Sequence, residues 1–161
     1  MPSEKQQDLL LQAPAQGSLE KKDGFTYISH QAIRVNLIRI FGWGRWSFEL
    51  IDQECLHEGK RPNRKGGDNW IITYRVMGRL SVEFDDGRTA TFTEAAVDSA
   101  INPMYEQAHD NAVKSASSMA IRRCAMNLGS VFGLGLYFDG YTGEAIKHTI
   151  DSSEEPTNGQ A

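Results

Sequence analysis

Cysteine is nearly absent from this chain of 161 residues. Cys55 and Cys124 stand far apart with no CxxC spacing, which indicates neither a zinc site nor a disulfide framework and fits a reducing compartment. No apolar run reaches the ~20 residues needed to cross a bilayer, and no charged-then-apolar leader opens the chain, so a soluble intracellular protein is expected. The four histidines, His30, His57, His109 and His148, lie in unrelated stretches, none at ligand spacing from a cysteine, an acid or a second histidine. His109 beside Asp110 offers a base and a carboxylate, but neighbours on a helix point in different directions. No GxSxG, paired-carboxylate or nucleophile–base pattern occurs. The expectation is a protein without catalytic residues, metal or cofactor, and not an enzyme. The glycine-rich GSVFGLG at 129–135 lacks the Lys-Ser/Thr ending of a phosphate loop and follows a helical pattern instead of opening one. It reads as a close-packed turn.

A positive excess is missing too. The formal net charge is −4, which argues against a simple polyanion binder, but the charge is unevenly spread. Residues 20–135 carry 15 Lys/Arg against 14 Asp/Glu, whereas residues 136–161 carry one Lys against five acids. The folded part is thus about neutral. Such a body can still grip phosphates if its cations gather on one surface, because phosphate contacts act locally and are screened over ~8–10 Å.

The patterning indicates one α+β domain over 20–145, a mobile arm over 1–19 and a disordered acidic tail over 146–161. Ser29 caps a predicted helix in which Ile33, Leu37, Ile40 and Phe41 share one face, and Gly42 ends it. Trp46, Phe48 and Leu50 then alternate as a half-buried strand, with Trp43 as a turn anchor. Residues 57–69, HEGKRPNRKGGDN, read as a loop. From Trp70 to Phe84 every even position except Gly78 is apolar, a strand long enough to need a bend, and Gly78 is the candidate for it. Asp85-Asp86-Gly87 makes a hairpin turn into a third strand, RTATFTE, followed by a connector over 95–105. A long helix comes next, with Ala108, Ala112, Ala116, Ala120 and Cys124 recurring every fourth position and Gly129 closing it.

Nucleic-acid binding has the better ingredients. Lys114 and Arg122 lie about 80° apart on one side of the long helix, while periodicity puts Arg123 on the packed side near Ala116. Lys60, Arg61, Arg64 and Lys65 fall within six positions of the basic loop, which reads equally as a phosphate-gripping finger and as a solvated hairpin tip. Arg75 and Arg79 occupy the polar face of the long strand, where arginines also bridge to Glu49 and Glu83. Tyr27, Trp43 and Tyr74 are available to stack or to pack, and Tyr74 falls on the apolar face.

Two stretches resemble a known family. YISHQAIRVNLIRIFGWGRW at 27–46 and AHDNAVKSASSMAIRRCAMNLGSVFGLGLY at 108–137 are similar, in order and around a β-meander, to the Rad52 family of single-strand annealing proteins. The resemblance covers about residues 25–138. It implies a β-β-β-α core with an additional N-terminal helix, subunits assembled into a ring or arc, and single-stranded DNA in an outer positive groove. Phosphates would face the protein and bases would face outward for ATP-independent annealing in recombination and double-strand break repair. Arg122 and Arg123 fall where the family has a Lys-Arg pair at the groove, and Tyr27 where it has an aromatic. Met126 stands where another cation is common, and only Lys21 and Lys22 precede the tyrosine, so the groove would be thinner there or rebuilt by the loop at 60–65. The carboxy-terminal region that binds a recombinase and a single-strand-binding protein in eukaryotic members has no counterpart, as in compact phage and bacterial versions. The implied partners are single-stranded DNA, further copies of the chain, duplex DNA at a second site and a single-strand-binding protein, in the cytoplasm at the nucleoid. An oligomeric interaction scaffold and a double-stranded RNA-binding module are the alternative readings.

Overall fold

A computed structural model describes residues 2–22 and 24–136. The element order is α1 (Glu4–Leu11), β1 (Leu19–Lys22), β2 (Phe25–Ile28), α2 (His30–Phe41), β3 (Trp46–Pro62), β4 (Asp68–Glu83), β5 (Thr89–Asn102) and α3 (Tyr105–Met126), with 3-10 turns at Gln16–Ser18 and Ser130–Phe132. β3, β4 and β5 form an antiparallel meander, and β1 pairs with β2 as a separate hairpin. The chain is therefore α+β, with a three-stranded sheet packed by one long helix and additional N-terminal helices.

The long helix docks as its small residues dictate. Ala108, Ala112, Ala116, Ala120 and Cys124 have no exposed surface, and they meet the even positions of β4, where Ile72, Val76, Leu80 and Val82 are also buried. Alanine brings the helix axis close to the sheet, and Gly78 brings it closer. A Cβ at Gly78 would stand 2.6 Å from the Phe48 ring and 3.1 Å from Ala120 Cβ, so close approach explains this glycine. The irregularity expected there falls on the neighbouring strand instead: pairing shifts between Leu50 and Asp52, and again between Cys55 and His57. Two bulges on β3 supply the twist that such long strands need.

Ser29 caps α2 by accepting from Ala32 N–H at 3.1 Å, and Gly42 at φ 90° ends the helix with its N–H on Ile38 O at 2.8 Å. Ile33, Leu37, Ile40 and Phe41 bury one face against Ile121, Cys124 and Ala125 of α3.

Four expectations need correction. Residues 57–69 are not a loop: β3 continues to Pro62 and β4 begins at Asp68, leaving Asn63–Gly67 as the turn. Cross-strand pairing carries this polar stretch without apolar alternation. Likewise the connector over 95–105 is strand, since β5 stays in register with β4 up to the Trp70–Asn102 pair. Trp43 anchors no turn and is 84% exposed. Finally, the expected N-terminal arm contributes to the core. Ser3 caps α1, Leu10 joins the main apolar cluster, and buried Gln6 donates to Ile40 O at 3.3 Å and accepts from Asp85 N–H at 2.9 Å. Gly129, at φ 143°, accommodates that contact, for a Cβ there would lie 2.6 Å from Leu10 O. The predicted acidic tail lies outside the described residues.

Candidate nucleic-acid interface

The β1–β2 hairpin stands across from the outward side of α3. Its register pairs Glu20 with Tyr27 and Lys22 with Phe25. Arg122 reaches towards it from α3, and its guanidinium carbon lies 4.5 Å from the centre of the Tyr27 ring. The same side chain donates from Nε to Ser118 O at 3.1 Å. Ring and carbonyl together fix the half-buried guanidinium in a stacked position.

Between hairpin and helix runs a trough. One end, about 550 Å³, is lined by Lys22, Arg122 and Arg123, by Asp98, which accepts a hydrogen bond from Ser115, and by an apolar wall that includes Phe25, Met119 and Leu136. The other end, about 520 Å³, adds Lys114, His30 and the carboxylate of Glu20 and shares Lys22, Tyr27, Ser115 and Arg122 with the first. Lys114 keeps an ion pair with Asp110 one turn back and remains exposed. His30 Nε2 accepts from Arg34 Nε at 3.0 Å. Its pKa is held below the ordinary 6.5, first by burial and then by the neighbouring Arg34 and Arg122 charges. The imidazole is accordingly neutral at neutral pH.

Arg123 resolves differently from its helical period. It is exposed and donates from Nη1 to Ala95 O at 2.7 Å, so it lies along β5 while its length also lines the trough. Periodicity fixes where the Cα sits, whereas a long side chain escapes along the helix surface.

The other sequence candidates are elsewhere. Arg75 pairs with Asp52 at 3.1 Å and Glu54 at 2.8 Å, and Arg79 with Glu49 at 3.6 Å. All five lie on the sheet face opposite α3. Glu83 instead pairs with Arg45. Lys60 sits 4.6 Å from the Trp70 ring centre, while Arg61, Arg64 and Lys65 are exposed along the hairpin tip. Trp70 touches Tyr105 at the start of α3, so this basic tip is about 25 Å along the helix from Arg122. Tyr74 is neither a free stacking ring nor wholly core: its hydroxyl is 2.8 Å from His109 Nδ1.

Sequence reasoning missed His30 and undervalued Lys22, because it began the fold at Phe25. The signal was present: Asp23-Gly24 between LEKK and FTYI is a two-residue hairpin pattern.

A three-stranded sheet backed by one helix, with a cationic trough on that helix's outer side, is the class these features define. No cluster of three or more metal-ligating side chains exists among the described residues, and none of their helices is long and apolar enough to cross a membrane. Residues 5–154 match the sequence model of the Rad52/22 family double-strand break repair protein, so the chain belongs to that family. The match begins at α1, in keeping with that helix's place in the core. A comparison with curated proteins finds no match.

Proposed function

We propose that this member of a double-strand break repair family binds single-stranded DNA in the trough and anneals complementary strands without ATP. The observation that carries the reading is Arg122, stacked on Tyr27 and flanked by Lys22 and Lys114, in an open trough where no carboxylate pairs with it among the described residues. Arg122, Arg123, Lys114 and Tyr27 are the proposed DNA contacts. Gripping phosphates requires no covalent step, and a few weak contacts per subunit become strong when copies repeat them along a strand.

The repeat itself is proposed to arise at the sheet margins. β3 and β5 are the outer strands, and Leu50, Ile51 and Leu56 on one and Val97 and Ile101 on the other are exposed. Such edges pair with further copies, and a closed ring or arc follows if the rotation repeats. The basic tip at Lys60, Arg61, Arg64 and Lys65 is proposed as a separate contact for duplex DNA. Arg75 and Arg79, paired with carboxylates on the sheet face opposite α3 and away from the trough, leave the proposed DNA set.

The test mixes two complementary oligonucleotides, one carrying a fluorophore and the other a quencher, with no nucleotide or metal. Faster pairing than in protein-free solution is expected; an unchanged rate overturns the reading.

A further inference from the structure

Holding phosphates accounts for the rim of the trough but not for its apolar wall. Phe25, Met119, Met126, Phe132 and Leu136 line the same end as Lys22, Arg122 and Arg123, where Asp98 is the one carboxylate among the lining residues. Leu136 is also the last described residue of the chain, so residues 137–161 are joined covalently to a residue that lines the trough. Their composition complements it: Phe138, Tyr141 and Ile146 come first, and Asp151, Glu154 and Glu155 follow. With five acids against Lys147 alone, this stretch has the same net charge, −4, as the entire chain.

We infer that the trough is the docking surface for the chain's own segment 137–161, which occupies it in competition with DNA. The inference rests on reading the trough as a phosphate site. Apolar side chains of the segment fill the wall, and its carboxylates lie against the three cations that would otherwise meet phosphates. Reach is no obstacle, because the fifteen residues from Leu136 to Asp151 span up to about 50 Å. Attachment through Leu136 gives the segment an effective concentration on the order of millimolar, enough for weak contacts to compete with dilute DNA. A long single strand contacting many subunits displaces it, so short oligonucleotides are rejected more strongly than long ones.

The experiment has two arms on the full chain. In the first, p-benzoylphenylalanine replaces Phe25, a side chain 61% exposed in the trough. The protein is irradiated without DNA after mixing with isotope-labelled copies. Crosslinks to peptides from 137–161 of the same chain, lost when excess oligo-dT is added, are expected. In the second arm, oligo-dT affinity is measured for Asp151→Asn/Glu154→Gln/Glu155→Gln and for a control with the same charge change on exposed positions of α1 and α3, Glu4→Gln/Asp8→Asn/Glu106→Gln. The segment variant should bind about tenfold tighter at about 50 mM salt, with the gain gone near about 500 mM, and the control should stay within about twofold.

Crosslinks to another copy or to the folded body overturn the inference, as does a control that gains as much affinity as the segment variant. A crosslink seen only to added oligo-dT identifies an unstacked base as the occupant, which also overturns it. If the segment crosslinks but neither protein binds oligo-dT, the contact stands and the DNA reading falls. If all proteins bind DNA equally and no segment crosslink forms, the DNA reading stands and the contact falls.

Discussion

Arg122 and Arg75 are the same residue type on one small domain, and the fold treats them in opposite ways. Arg75 lies on the open face of the sheet with two carboxylates from β3 around it. Arg122 lies over a tyrosine ring and a helix carbonyl, with no carboxylate paired to it among the described residues. Counting cations therefore misleads for a nearly neutral domain. What matters is which cations the fold leaves uncommitted, and the sheet face uses its arginines up in cross-strand pairs. The trough holds its arginine by a ring instead, which fixes the group in place while its charge stays available.

The comparison can be broken by mutation. Arg122→Ala should weaken single-stranded DNA binding about tenfold and lower the salt slope by about one, measured by fluorescence anisotropy across a salt series. Tyr27→Ala, which keeps the charge but removes the ring, should cost about fivefold in the same assay. Arg122→Lys should fall lower still, at about threefold, because a lysine offers the charge without the flat stacking surface. Arg75→Ala should leave DNA affinity unchanged and reduce stability by about 0.5–1 kcal/mol in urea unfolding, as expected for a partly exposed ion-pair set. An Arg75→Ala protein that loses DNA binding as Arg122→Ala does would erase the distinction.

The smallest effect is electrostatic. His30 titrates below 6.5 in the folded chain, so the unfolded chain takes up that proton first. Its contribution to stability is complete above pH 6.5 and declines as the pH falls from there to the folded-state value. Arg122→Ala should move the His30 midpoint upwards, visible by NMR titration of the ring protons. An unmoved midpoint would mean that Arg122 does not bear on His30.

Much of this was legible in the sequence because period and spacing are backbone properties. The alanine stripe, the even-numbered face of β4 and the Ser29 cap all lie where alternation and helical geometry put them. The misses share a physical cause. The end of β3 is held by ladder hydrogen bonds and not by burial, so residues 57–62 lack the apolar signature that marks a strand, and the end of β5 packs on α3 through the small residues Ala96 and Ala100, which carry little strand signal. Helix α1 is too short for a clear period, and its anchor is a buried amide, Gln6, which no hydrophobic pattern registers. Among the proposed contacts, helical angle puts Arg122 on the side of α3 that it shares with Lys114, and Tyr27 enters by resemblance. Their stacking joins residues 95 positions apart in sequence, a contact that no local pattern encodes. Arg75 and Arg79 illustrate the converse, since alternation gives their face but not the acids that pair register brings opposite them.

The two margins of the sheet carry a consequence for how this protein is handled. β3 and β5 each present an outer row of backbone donors and acceptors without a neighbouring strand among the described residues, and exposed isoleucine, leucine and valine side chains accompany them. In dilute solution water must satisfy those groups. If copies pair there, every copy added removes two such margins from water, so the midpoint of thermal unfolding should climb with protein concentration. A melting temperature for this chain then has meaning only alongside the concentration at which it was recorded.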